Sequence, residues 1–341
     1  MAGLLAGLAT GLSRMGWDVG ILSASLHHGS VMVGGFLGTL IALEKVIPLK
    51  RKMLYLIPVC SGASVFVFFV GDPIYAFALL LLAALALSSV FLYYLVTVRD
   101  FIYFLMLCGG LSWLAGNAVL ASQSLYPAAF PWWVAFILFI ITAERLELTK
   151  FLPVPSSRKR WLVLMLFLYV AGVVWSFHAG GQWISGAALV GVSLWLMKFD
   201  VVGLSIQKSG LQKFIGTALL CGYVALLLTG VFLIALTQHP FAYDAIVHTF
   251  FLGFAFSMIF AHGPVILPGV LGMRVKPWHR MLYVWLILLH VSLAVRVISD
   301  LSFDLHFRKT TGVVSTVAIL GYFLTVATAL FKIQRRHAKV L

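Results

Sequence analysis

The chain is a series of long apolar runs separated by short polar or basic segments. Apolar residues follow one another without the alternation of a half-buried strand, so the pattern predicts α-helices. A helix needs about 20 apolar residues to cross a bilayer, and lipid leaves only helices or a closed barrel with satisfied backbones. The predicted transmembrane helices are residues 2–17, 26–47, 54–71, 73–97, 101–122, 129–147, 161–177, 183–199, 214–237, 243–268, 281–300 and 312–332.

The predicted fold class is all-α: a polytopic membrane protein with about 12 transmembrane helices in one domain over residues 1–341. The longest polar stretches, around residues 150–160 and 205–213, have the size of loops, so no separate soluble domain is expected. The first run lacks the basic start and the A-x-A cleavage site of a signal peptide. It is therefore predicted to be the first helix.

Basic residues lie almost entirely on one side of the predicted membrane. With the N-terminus in the cytoplasm, 20 of the 24 Lys and Arg residues lie in inner loops and the C-terminal tail, among them Arg274, Arg335, Arg336 and Lys339. The outer side holds four: Arg14, Arg296, Arg308 and Lys309. Positively charged loops stay in the cytoplasm, so both termini are predicted to be cytoplasmic. The expected location is a bacterial inner membrane, crossed many times.

Composition narrows the classes of partner. The chain is 62% hydrophobic and 10% charged, so membrane lipid is its expected surrounding. The net charge of +14 comes from the loop clusters, and no nucleic acid partner is expected. The three cysteines lie inside apolar runs and form neither a CxxC pair nor a c-type haem motif.

Two histidines are the strongest candidates for chemistry. His28 lies near the predicted outer end of the second helix, and His248 lies about one turn below the outer end of the tenth. Imidazole is costly to bury without a partner and is well suited to iron, copper and zinc. Two facing imidazoles from different helices are a usual way to hold a b-type haem, with glycines such as Gly34 and Gly253 admitting the flat ring or a neighbouring helix. The alternative is that both histidines hydrogen-bond within the bundle.

Arg296 is a third candidate, near the predicted outer end of helix 11. An arginine on the outer side runs against the charge rule, so a partner is expected. A haem propionate fits, because a guanidinium binds a carboxylate through two hydrogen bonds. The alternatives are a salt bridge to Asp300 or Asp244, or a lipid phosphate.

His262 and His290 form a candidate second site. His262 follows His248 by fourteen residues, which in an α-helix is about 40° short of four full turns, so both are predicted on one face of helix 10. With His290 near the middle of helix 11, His262 could hold a second haem or copper, or belong to a proton path. The alternative is that each is a buried histidine with its hydrogen bonds satisfied.

Two glutamates lie near the predicted inner ends of helices 2 and 6. Glu44 and Glu144 are each followed by a cation, Lys45 and Arg145, which favours interfacial ion pairs over a route for protons. The runs show no carboxylate at the predicted membrane centre, no Walker loop, no nucleophile elbow and no HExxH motif.

The helix count and histidine positions resemble the catalytic subunit I of the haem-copper oxidases. The chain also resembles the NnrS-type membrane proteins, through His28 to Glu44 (HGSVMVGGFLGTLIALE), Ala143 to Leu148 (AERLEL) and His248 to Pro268. The resemblance implies a subunit I-like bundle in which helices 2 and 10 supply the axial ligands of a low-spin haem. It implies that Arg296 contacts a propionate, and that the protein is linked to nitric oxide metabolism.

The chain differs from the haem-copper oxidase pattern in three ways that limit which functional residues the resemblance can assign. Helix 6 has no histidine, helix 7 has no His-His pair, and His248 stands alone instead of in an H-x-H motif. The copper and oxygen-reducing site of the oxidases is therefore not expected, and the protein is not expected to be a terminal oxidase.

The predicted function is that of a membrane b-type haem protein, with His28 and His248 on the iron near the outer face. Six-coordinate haem moves electrons, so the expected role is electron transfer or the handling of nitric oxide and nitrosative stress. If it is an enzyme, it is an oxidoreductase. Candidate partners are quinol, a redox protein or a larger respiratory complex. The alternatives are a small-solute permease and a structural anchor subunit of such a complex.

Overall fold

The protein is built from long helices joined by short connections. The structure, a computed structural model, describes residues 1–270, 272–273 and 275–338. Arg274 and Lys339, two of the cations assigned to the inner side, lie outside the described residues, as do the side chains of Arg335 and Arg336. No strand occurs in the described part of the chain, which confirms the all-α class.

The helices group into two compact units, Met1–Glu147 and Leu148–Leu341. The first, here unit 1, contains α1 (Ala2–Arg14), α2 (His28–Leu49), α3 (Leu56–Val70), α4 (Pro73–Val98), α5 (Phe101–Gln123) and α6 (Tyr126–Leu148). The second, unit 2, contains α7 (Ser156–Val174), α8 (Gly181–Phe199), α9 (Gly210–Ala235), α10 (Ala242–Gly269), α11 (Met281–Ser302) and α12 (Leu305–Ala338). Each predicted run therefore corresponds to a helix, with shifted ends.

Nine helices among the described residues are long and apolar enough to cross a membrane, so the protein is a multi-helix membrane protein. The other three are α1, α7 and α8. Helix α1 has 13 residues instead of the predicted sixteen. Helix α7 begins five residues before its predicted start and so takes Arg158 and two further cations into its first turns. A crossing by all twelve helices stays a prediction.

The hairpins of unit 1 begin and end where the sequence supplies caps. Asp72 and Asp100 precede α4 and α5, and each carboxylate accepts a backbone N–H two residues later, at 2.9 Å and 3.0 Å. Such caps satisfy donors that the first turn of a helix leaves open. Between them, Arg99 ends α4 in the left-handed region with φ 57°. This turn lets α5 begin at once, without a loop.

Helices α8 and α9 of unit 2 approach each other at a pair of glycines. A Cβ atom on Gly186 would lie 2.7 Å from the Gly230 carbonyl oxygen, and one on Gly230 would lie 2.6 Å from the Gly186 carbonyl oxygen. No side chain fits at either position, so the two backbones touch directly. Contact of this kind is typical of helix pairs in membranes, where small residues replace hydrophobic burial as the source of packing.

Two helices contain a π-helical stretch that the apolar pattern does not show. In α2 it covers Val31–Gly38, and in α10 it covers Thr249–Ala255. A π-helix closes wider turns than an α-helix and is frequent at functional sites. Both stretches begin within three residues of a candidate ligand, His28 in α2 and His248 in α10. The angle calculated between His248 and His262 assumed an α-helix throughout, so it does not apply across this stretch.

Candidate functional site

His28 is fixed by helix α1. Its Nδ1 lies 3.0 Å from the Gly7 carbonyl oxygen and 3.2 Å from the Thr10 hydroxyl. A carbonyl oxygen only accepts, so Nδ1 carries the proton and donates it. The lone pair of the neutral ring then lies on Nε2. This is the nitrogen that a metal would take.

Glycines on α1 allow that bond. Gly3, Gly7 and Gly11 recur every four residues and so line one face of the helix. A Cβ on Gly11 would lie 2.9 Å from the His28 Cε1, and one on Gly3 would lie 2.7 Å from the carbonyl oxygen of Gly35. Any larger side chain would push α1 away from α2. The glycine face therefore brings the Gly7 carbonyl oxygen within reach of the histidine.

The glycines that follow His28 are in contact with neighbouring helices of unit 1. A Cβ on Gly34 would lie 2.6 Å from a methyl carbon of Leu80, and one on Gly38 would overlap the ring of Trp113. Of the two explanations that the sequence left open, an approaching helix and an approaching macrocycle, these contacts favour the helix. The room that these glycines create is filled by side chains of α4 and α5.

His27 lies in an aromatic pocket that the sequence did not indicate. Its ring stacks on Phe68 at 4.8 Å and meets Phe77 edge-on at 5.7 Å. Its Nδ1 lies 3.1 Å from the Tyr126 hydroxyl, which also lies 3.1 Å from the Ser30 hydroxyl. His27 thus ties the start of α2 to α3, α4 and α6.

His248 is fixed within its own helix. Its Nδ1 lies 2.9 Å from the backbone oxygen of Asp244, four residues earlier, and 3.4 Å from a carboxylate oxygen of the same residue. The backbone oxygen is again only an acceptor, so Nδ1 donates and Nε2 holds the lone pair. His248 and His28 therefore have the same tautomer, reached through different helices.

The Asp244 carboxylate is the centre of a charged cluster in unit 2. Arg296 donates to it twice, Nε to Oδ2 at 2.9 Å and Nη2 to Oδ1 at 3.0 Å. Arg308 approaches the same carboxylate with Nη2 3.0 Å from Oδ1 and reaches Asp300 with Nε 2.8 Å from Oδ1. Asp300 is fully buried. Two guanidinium groups thus balance two carboxylates beside His248.

This cluster identifies a protein partner of Arg296. The sequence had left a salt bridge to Asp300 or to Asp244 open, and the structure shows the bridge to Asp244. Asp300 is instead paired with Arg308, a residue that the charge pattern placed among outer cations without a role. The signal that could have indicated this cluster was the four-residue spacing from Asp244 to His248 in an apolar run. A contact from Arg296 to a propionate stays a prediction.

His290 has protein partners at both ring nitrogens. Nδ1 lies 3.0 Å from the Leu286 carbonyl oxygen, and Nε2 lies 3.2 Å from the Ser257 hydroxyl. His262 donates from Nδ1 to the Met258 carbonyl oxygen at 2.6 Å. The Ser257 bond at Nε2 favours the interpretation of His290 as a satisfied buried histidine. The bond of His262 is of the same kind as those of His28 and His248 and does not distinguish the two interpretations. Among the described residues, no group of three or more His, Cys, Asp or Glu side chains is placed to hold a metal ion.

The inner end of unit 1 holds a second charged cluster. The ammonium of Lys45 lies 3.1 Å from a carboxylate oxygen of Glu44 and is also bonded to Glu144 on α6. The Glu44–Lys45 pair is the interfacial ion pair that the sequence predicted. The bond to Glu144 was not predicted, and through it one lysine joins α2 and α6 at their predicted inner ends.

A sequence profile described as a domain of unknown function (DUF8744) matches residues 1–331. The chain belongs to the DUF8744 family. The match covers both units, so the two histidine-bearing helices are parts of one DUF8744 domain. No curated protein and no solved structure matches this DUF8744 chain.

Proposed function

We propose that this DUF8744 protein is an integral membrane b-type haem protein, with His28 and His248 as ligands of haem iron. Its proposed role is electron transfer or the handling of nitric oxide and nitrosative stress. The observation that carries the proposal is the Nδ1 bond of each histidine to a backbone carbonyl oxygen. A histidine that binds a metal usually donates its other ring N–H in this way, which fixes the ring and raises the basicity of the ligating nitrogen.

The donor set fits haem better than a bare metal ion. A b-type haem needs only axial side chains from the protein, because the macrocycle supplies the other four nitrogens. The described residues contain no cluster of three or more ligands for a metal ion. When bound, haem would supply a reversible one-electron change at iron. A second haem or copper at His262 and His290 stays a prediction.

The residues around His248 have a defined task in this proposal. Asp244 orients the ring through its backbone oxygen, while its carboxylate holds Arg296 and Arg308 beside the ligand. A guanidinium has five N–H donors, and Asp244 takes two of those of Arg296. A propionate at Arg296 would therefore share the guanidinium with Asp244.

The test is an absorption spectrum of the purified protein, oxidised and then reduced, followed by a pyridine haemochrome assay. We expect a Soret band that shifts on reduction, and we expect His28→Ala and His248→Ala each to remove or shift it. His178→Ala is the matched control, because His178 is an exposed histidine of unit 2 and should leave the band unchanged. Absence of a reducible band in the natural protein, or an intact band in both ligand variants, would overturn the proposal.

A second measurement separates a lost ligand from a misfolded protein. His248→Gly leaves space for free imidazole, which should restore the band if His248 is a ligand. A monodisperse variant with no band and no rescue would count against that role. Uptake of a small solute into liposomes by protein without a chromophore would favour a permease. Reduction of the haem by quinol or by a redox protein would identify the class of electron donor.

A further inference from the structure

A groove runs along the surface of unit 1, with α4 on one side and the start of α3 and the segment that joins it to α2 on the other. Its volume is about 570 Å³. The walls are apolar along nearly all of their length, and small side chains at Ala83 and Ala86 form the floor.

The length of the groove matches one leaflet of a bilayer. Along α4 it extends from Leu82 to Tyr93. Eleven residues at about 1.5 Å each give roughly 16 Å. The hydrocarbon core of a bilayer is about 30 Å thick, so one leaflet is close to the same length. A transmembrane helix from a partner protein would run through the whole thickness and would not end halfway.

The groove is positively charged at one end only. Arg51 lines it, and its guanidinium carbon lies 5.9 Å from the centre of the Tyr93 ring, a cation–π contact that holds the side chain at the mouth. Lys50 and Lys52 flank Arg51, and all three are exposed. The stretch 46–71 contains no Asp or Glu, so no acidic neighbour in the chain cancels this charge.

The structure assigns this groove to an anionic phospholipid. One acyl chain would lie between α3 and α4, and the headgroup phosphate would contact Arg51, with Lys50 and Lys52 beside it. Basic clusters on the cytoplasmic side of transmembrane helices bind anionic headgroups in this way. The basic end of the groove, at Arg51, lies on the side that the charge pattern assigns to the cytoplasm. Anionic lipids of the cytoplasmic leaflet can therefore reach it. This inference is independent of the haem proposal.

Native mass spectrometry of the full-length protein in detergent tests the assignment. Phosphatidylglycerol and phosphatidylcholine with identical acyl chains are titrated separately, and the fraction of protein with one bound lipid is counted. We expect phosphatidylglycerol to be retained at lower concentration than phosphatidylcholine. Arg51→Gln should weaken phosphatidylglycerol binding about five-fold, the effect of one cation near an anionic headgroup. Ala86→Phe should weaken binding of both lipids, because its ring would fill the floor.

Two matched variants identify non-specific effects. Arg99→Gln removes one cation at the same end of α4 outside the groove, and Leu85→Phe enlarges an exposed side chain that does not line it. Both should bind phosphatidylglycerol like the natural protein. Equal retention of the two lipids, or equal loss in Arg51→Gln and Arg99→Gln, would overturn the assignment. So would displacement of the lipid by an uncharged isoprenoid quinone at equal concentration, because that would show a site that ignores the headgroup charge.

Discussion

Helices α2 and α10 each carry a histidine next to a π-helical stretch, yet they hold it by different means. In α2 the Nδ1 of His28 donates to the Gly7 oxygen of a separate helix. In α10 the Nδ1 of His248 donates to Asp244 of the same helix. One tautomer therefore depends on tertiary packing, and the other on a single helical turn of local sequence, Asp244 to His248. The comparison shows that equal ring chemistry does not require equal support.

The charges differ as well. In unit 2 the cluster around Asp244 lies against His248. In unit 1 the charged cluster around Lys45 lies at the opposite end of α2, about 25 Å from His28 for a helix of that length. The contacts of His28 with α1 are instead to uncharged residues: Gly7, Thr10 and Gly11. A substitution that changes the charge of the Asp244 cluster should therefore alter the surroundings of His248. A substitution that changes the charge of the Lys45 cluster should leave the surroundings of His28 unchanged.

The largest effect is expected from Asp244→Asn. The change leaves Arg296 and Arg308 without their shared carboxylate in a largely buried position, which costs about 3 kcal/mol of stability. The measurement is the midpoint of thermal unfolding in detergent. Asp18→Asn, an exposed aspartate of unit 1, is the control and should change the midpoint little. Equal midpoints for the two variants would show that the cluster does not stabilise unit 2.

Gly11→Ala should come next, because its effect on His28 is steric. The new Cβ would lie 2.9 Å from the His28 Cε1, and overpacking of this kind costs about 1–3 kcal/mol. Gly62→Ala is the matched control, since its Cβ would meet nothing closer than Thr39 at 3.6 Å. It should be neutral or stabilising by up to about 1 kcal/mol. A ¹⁵N-histidine NMR spectrum should show a changed His28 signal in Gly11→Ala alone.

Lys45→Met should destabilise unit 1 without changing the His28 signal. It leaves Glu44 and Glu144 close together without their shared cation, and partial exposure of the three groups limits the loss to roughly 1–2 kcal/mol. The double variant with Glu144→Gln removes the excess negative charge and should recover part of the lost midpoint. A shifted His28 signal in Lys45→Met would contradict the separation of charge and histidine in unit 1.

The smallest effect is expected from Ser257→Ala. It removes the hydroxyl partner of His290 Nε2, a loss of about 1 kcal/mol for one hydrogen bond. Ser89→Ala, at an exposed position of α4, should be neutral. If Ser257→Ala matches this control, the hydrogen bond does not stabilise unit 2, and the structural interpretation of His290 loses its support.

Much of the fold could be predicted from the sequence because lipid imposes one rule on every helix. Each predicted run became a helix, since continuous apolar residues have no other way to satisfy their backbones. The ends were harder. The first helix stops at Arg14, and α7 starts at Ser156, because caps and turns are decided by two or three residues that an apolar pattern ignores.

The candidate site was less predictable. The position of His28 near the end of an apolar run marked it as a candidate ligand. Its partner Gly7 could not be predicted, because the carbonyl oxygen comes close to His28 only where the glycine face of α1 packs against α2. The role of Arg308 was missed, because its partners Asp244 and Asp300 lie on α10 and α11 and only packing brings the three together. The π-helical stretches have the same apolar letters as an α-helix, so no pattern could reveal them.

The stretch Thr249–Ala255 has a consequence for how this helix can vary between relatives. Each wide turn holds one residue more than an α-helical turn, so loss of one residue there could be absorbed by a return to α geometry. Such a deletion would leave the half of α10 that follows close to its present orientation relative to the half that carries His248, whereas loss of one residue from a regular α-helix would rotate that half by about 100°. A length change that would turn the faces of a regular membrane helix away from their neighbours would here be confined to the π-helical stretch, and both halves of α10 would keep the faces they now present.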